Sequence, residues 1–120
     1  MNAIPEKLDL ALTRRLRRVV AGEVATESEL RTLADDADGW VRATEAQLRA
    51  SEGRLAGLNA DPASPLAEIA AEVRRVEALS RELAEARRLI GGLEQRTREL
   101  RTAWLKHHAD SGSPFGGRPA

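Results

Sequence analysis

Apolar residues recur along the chain at helical spacing in three blocks, separated by short breaks that carry glycine, proline or asparagine. In the first block Leu8, Leu12 and Leu16 lead, at steps of four, to the pair Val19 and Val20. Such steps place them on one stripe of an α-helix. Pro5 suits the first helical position, and Gly22 suits the stop, so the spacing predicts a helix over residues 5–21. Thr26 followed by Glu29 fits a capping box, in which a hydroxyl and a carboxylate each satisfy an orphan backbone N–H. A second helix is expected from there over residues 27–58. Residues 59–64 read as a turn, and Ser64 with Pro65 opens a third helix over residues 65–108, about 65 Å long at 1.5 Å per residue. Gly91 and Gly92 lie inside it at a cost of about 2 kcal/mol relative to two alanines. That cost implies a bend or a close approach by another element. Residues 110–120 are rich in Gly, Ser and Pro and are expected to form a disordered tail outside a single helical domain of residues 1–109.

The second and third helices carry matching heptad rows. Ala34, Val41, Leu48 and Leu55 fall seven apart, as do Ile69, Val76, Leu83 and Ile90. Folded at residues 59–64, they pair as Leu55–Ile69, Leu48–Val76, Val41–Leu83 and Ala34–Ile90, and each pair of numbers sums to 124. A second row, Leu30–Leu93, Ala37–Ala86 and Thr44–Leu79, sums to 123. Two rows in one antiparallel register imply knobs-into-holes packing. The expected fold is therefore all-α: a long antiparallel, coiled-coil-like helical hairpin with a shorter N-terminal helix, resembling a three-helix bundle.

Charge agrees with that arrangement. Residues 5–21 carry five bases and two acids, residues 22–64 four and nine, and residues 65–108 nine and seven. An acidic second helix between two basic ones favours contact with both, although exposed ion pairs contribute only about 0–1 kcal/mol each. Leu33 and Trp40, with Leu79, Ala86, Leu93 and Leu100, form a further stripe beside the hairpin seam. The first helix, about 26 Å long, either folds back over this groove or runs straight on, which would set Val20 on Trp104. In neither case does it reach residues 45–80.

Composition narrows the chemistry. Nineteen basic residues balance nineteen acidic ones, which argues against a dedicated nucleic-acid or membrane-surface protein. Only Trp40, Trp104 and Phe115 are aromatic. Cysteine is absent, so neither a disulfide nor a thiolate metal site can form. No apolar run approaches the roughly 20 residues that span a bilayer. The N-terminus lacks the pattern of a classical signal peptide, so a cytoplasmic protein with no membrane attachment is expected.

The candidate catalytic and metal motifs are weak. Residues 34–45 resemble an EF-hand loop, with Asp36, Asp38, Gly39 and Glu45 at suitable positions, but Ala34 occupies the place of the first ligand. His107 and His108 are neighbours on a helix, point about 100° apart and lack the Glu-x-x-His pattern of bundle metal sites. No nucleophile, base and orienter can be assembled, and Gly91-Gly92 lacks the lysine and strand of a phosphate loop. No enzyme activity, cofactor or metal is expected.

Two interaction readings remain. In the first, the chain is a protein–protein interaction module, an adaptor or small structural subunit, whose partner is itself in a homo-oligomer or a larger protein. Its candidate contacts are Leu33, Trp40, Leu79, Leu89 and Trp104, with a stripe of small residues (Ala43, Ala46, Ala50, Gly53 and Gly57) that would let another helix approach closely. In the second, Arg14, Arg15, Arg17 and Arg18 make salt-sensitive phosphate contacts in a nucleic-acid-associated assembly; nucleic acid is the less favoured partner because no aromatics interleave for base stacking. The length, hairpin and missing cysteine resemble the small secreted WxG hairpins. Gly39-Trp40, however, reverses the motif's order within a helix, and the chain has no tyrosine, so that family is not assigned.

Overall fold

The computed structural model describes residues 3–111, with side chains for residues 10–109. Three helices, α1 (Ala3–Val20), α2 (Glu27–Ala60) and α3 (Leu66–Ser111), make up an extended bundle of 83 × 27 × 19 Å. The described residues contain no strand. The expected tail over residues 112–120 lies outside the described residues, as does the side chain of Leu8. α3 itself continues three residues past its expected end, through positions 110 and 111 that the tail was expected to include.

The caps explain why these segments stop and turn. At the end of α1, Glu23 N–H donates to the Arg18 carbonyl at 2.9 Å and Gly22 N–H to the Val19 carbonyl at 3.1 Å. This paired pattern is a Schellman motif, and it needs a residue of positive φ, which Gly22 supplies at +122°. α1 therefore cannot run straight into α2. It folds back, and Val20 packs on Gly92 rather than on Trp104. Thr26 forms the capping box of α2: Glu29 N–H donates to Thr26 Oγ1 at 3.1 Å, and Thr26 N–H donates to Glu29 Oε1 at 2.7 Å. At the hairpin turn the Asp61 carboxylate accepts from Ala63 N–H at 2.9 Å. The first helical bond of α3 runs from Ile69 N–H to the Pro65 carbonyl. Pro65 rather than Ser64 thus caps α3, at a position where a missing N–H costs nothing.

α1 lies parallel to α3 and antiparallel to α2, with Arg17 beside Glu85 and Val20 beside Gly92. Leu16 and Val19 are fully buried among Leu30, Leu33, Ala37, Trp40, Ala86, Leu89 and Leu93. Burying each such aliphatic side chain contributes about 1.5–3 kcal/mol. A Cβ on Gly92 would lie 2.8 Å from Val20 Cγ1, whereas Gly39 and Gly91 face open space. Both long helices run unbroken through their glycines. The glycine pair thus reflects a close approach at Gly92 and no bend.

The hairpin register is as expected, but the centre of the core is not. The row summing to 123 is the buried one, with Leu30, Ala37, Thr44, Leu79, Ala86 and Leu93 all sealed. In the row summing to 124, Leu83 is buried, Ala34 is exposed and the rest are half-buried. The reason is α1, which covers only one side of the hairpin. Beneath it lies a third row, Leu33–Leu89 followed by Trp40–Glu82, whose numbers sum to 122. That row turns polar at Glu82 and continues as Gln47 and Arg75.

Candidate interaction surface

Beyond the reach of α1 the hairpin is two helices, and its central row becomes polar. The buried Thr44 hydroxyl donates to Glu82 at 3.1 Å, and Trp40 Nε1–H donates to the same carboxylate oxygen at 2.9 Å. One heptad further along, the fully buried Ser51 hydroxyl donates to Glu72, which also pairs with Arg54. These bonds hold the Glu72 carboxyl below the usual carboxylate range, the Ser51 hydrogen bond foremost. The sequence reading missed this ladder because Ser, Thr and Glu carry no hydrophobic signal.

At the opposite end the register places Arg96 of α3 against Glu27, the first residue of α2. Residues 97–111 therefore run on past the start of α2 for about 22 Å, with Leu100 still packed against the core. The loop between α1 and α2 runs beside their first turns: Arg96 Nη2 donates to the Gly22 carbonyl at 2.9 Å, and Arg101 pairs with Glu27 at 3.2 Å. Between loop and helix lies a mainly apolar groove of about 660 Å³ bounded by Ala25, Leu30, Leu100, Trp104 and Leu105, with Thr26 and the Arg101–Glu27 pair on its wall. Trp104 is 57% exposed and Leu105 60%, and Val24 on the neighbouring loop is 81% exposed. The His108 ring stacks on Trp104 with centroids 3.7 Å apart. Large apolar side chains at this exposure are unusual when clustered rather than scattered.

The expected contact residues divide accordingly. Trp104 belongs to this groove, together with Leu100 and Leu105, which the sequence reading did not assign to a contact surface. Leu33, Trp40 and Leu89 do not face outward: they are core residues beneath α1. Leu79 is buried in the hairpin seam. These four assignments are corrected: α1 of the same chain fills the place proposed for a partner at Leu33, Trp40 and Leu89, and α2 covers Leu79. Ala43, Ala46, Ala50, Gly53 and Gly57 all lie exposed on α2, far from the groove.

The basic cluster of α1 is mostly engaged within the chain. Arg15 pairs with Glu23 and Glu29, Arg17 with Glu85, and Arg18 with Glu23, while Arg14 is exposed. The Glu85 carboxyl is held below its usual range by Arg88 first and by Arg17. That of Glu29 is held down by its capping bonds to Thr26 and then by Arg15.

Residues 34–45 are continuous α-helix, so a calcium loop is not formed there. Among the described residues no three His, Cys, Asp or Glu side chains converge on one point, and no helix is long and apolar enough to cross a membrane. Comparison of the chain with protein-family models, with curated proteins and with solved structures finds no match.

Proposed function

We propose that this chain is a non-enzymatic helical interaction module, an adaptor or small structural subunit, and that it engages its partner through the projecting end of α3. The observation that carries the reading is the clustering of Leu100, Trp104 and Leu105 on a helix that has outrun its own bundle. An apolar groove along a helix is the standard receptor for an amphipathic partner helix. The nucleic-acid alternative is the weaker one, because phosphate contacts by Arg15, Arg17 and Arg18 would have to displace intramolecular carboxylates.

The test is a photo-crosslinking amino acid placed at position 105 in the native host, alongside light scattering of the purified chain. A crosslink to another protein, or a mass above the monomer that Leu105→Glu abolishes, supports the reading. A chain that is monomeric at every concentration and gives no crosslink from position 105 contradicts it.

A further inference from the structure

The hairpin has two sides, and α1 closes only the one that carries Leu33, Trp40 and Leu89. On the other side lies the row that sums to 124, in which Val41, Leu48, Leu55, Ile69, Val76 and Ile90 are only half-buried. Leu66 and Val73 widen that row on α3, three residues before Ile69 and four after it, at 83% and 37% exposure. We infer that a second copy of the chain docks on this open side, well away from the groove at Trp104. α2 of each copy packs against α3 of the other, and two hairpins close into a four-helix bundle with both turns at the same end.

Charge selects this occupant. A two-fold axis along the hairpin leaves every residue at its own level, so the register within the chain also sets the register between copies. It brings Arg31 level with Glu94 of the second copy and Arg49 level with Glu77, their numbers summing to 125 and 126. All four side chains are exposed, and none has an ion pair with another described residue of its own chain. Arg31 and Glu94 line an open cleft on this side together with Ala34 and Ile90. Arg49 and Glu77 each follow a residue of the half-buried row, Leu48 and Val76, and so stand at its outer edges. At the remaining levels Asp38 meets Arg87, and Arg42, Glu45 and Glu52 meet Ala84, Ser80 and Val73, so no like charges are opposed. Such self-complementarity is what a two-fold interface requires. An axis across the hairpin sets each helix on its own copy instead, and the setting that pairs Glu77 with Arg87 then places Arg42 on Arg42, which is repulsive. The open side extends for about 50 Å along α2 and across two helices about 10 Å apart, enough for the roughly 800 Å² per copy of a stable interface.

The experiment is analytical ultracentrifugation of the full chain over a wide concentration range. The expected result is a monomer–dimer equilibrium whose Kd rises about tenfold or more with Arg49→Glu, since two symmetric attractions become repulsions. Glu77→Arg should act alike, and the double variant Arg49→Glu with Glu77→Arg should return to the parent value. Val73→Glu, which sets a charge in the centre of the contact, should abolish the dimer. Circular dichroism of all four variants should match the parent chain, because every substituted position is exposed. A chain that stays monomeric at the highest concentration, a dimer indifferent to Val73→Glu, or a double variant no tighter than the single ones overturns the proposal. A dimer lost with Leu105→Glu but kept with Val73→Glu joins its copies at the projecting end, so the present inference falls and the reading of that end stands. A dimer lost with Val73→Glu, in a chain that gives no crosslink from position 105, supports the open side and contradicts the projecting end.

Discussion

The two halves of the hairpin use the same register and different chemistry. In the half covered by α1, three helices converge and the central positions are Leu30, Ala37, Ala86 and Leu93, all apolar. In the half nearer the turn, two helices stand alone and the central row mixes apolar Leu79 with Thr44 and Ser51, which are bonded to Glu82 and Glu72. The flanking row remains half-exposed in both halves, as Leu48, Leu55, Ile69 and Val76 here and Val41 and Ile90 in the covered half, because α1 lies on the other side of the hairpin. The covered half supplies stability, and the bare half supplies length and a fixed register.

Core truncation should break this comparison most sharply. Leu93→Ala, in the covered half, is expected to cost about 2–5 kcal/mol, whereas Leu55→Ala in the bare half should cost less than the low end of that range because its site is open to solvent and leaves no sealed cavity. Urea denaturation of the two variants reads the difference; equal costs would mean that the halves are packed alike.

The glycine pair provides the next contrast. Gly91→Ala should stabilise by about 0.5–1 kcal/mol through helix propensity alone, since its side faces open space. Gly92→Ala should destabilise instead, because the new methyl meets Val20 and forcing extra volume into a packed contact costs about 1–3 kcal/mol. Opposite shifts in melting temperature are the expected result.

Acid should act more weakly, through the carboxylates. Glu29, Glu72 and Glu85 all have folded-state pKa values below the ordinary 4.5. The stability they contribute is therefore present above pH 4.5 and is lost as pH falls through their lowered values. Ser51→Ala removes the main cause of the Glu72 shift and should shrink that acid-dependent loss in the bare half, as followed by hydrogen exchange. The smallest effect expected is that of Ala50→Trp, an exposed substitution away from the groove, which should leave any association unchanged in light scattering.

Much of the fold was legible in the sequence because heptad rows in two helices fix each other's register, and the Thr26–Glu29 box and Gly22 mark their ends. The location of the core centre was not legible. It depends on which side of the hairpin α1 covers, and the periodicity of α2 and α3 alone does not encode that choice. For the same reason Leu33, Trp40 and Leu89 read equally well as a docking face or as core. The projecting end could have been found by arithmetic: the register that pairs Leu30 with Leu93 sets Arg96 level with the first residue of α2, so the backbone of α3 beyond it has no α2 turn alongside. The Ser51–Glu72 and Thr44–Glu82 pairs had no apolar signature to reveal them.

The two tryptophans report the two situations directly, Trp40 at 7% exposure beneath α1 and Trp104 at 57% on the projecting helix. Acrylamide quenching of the Trp40→Phe chain, which leaves Trp104 as the sole fluorophore, tests whether the groove stands open in the protein alone. Red-shifted emission that is quenched freely at the lowest protein concentration is the expected result, and it would leave Trp104 available to a partner. Blue-shifted, protected emission under the same conditions would mean that the chain covers its own groove, and the interaction account would fail.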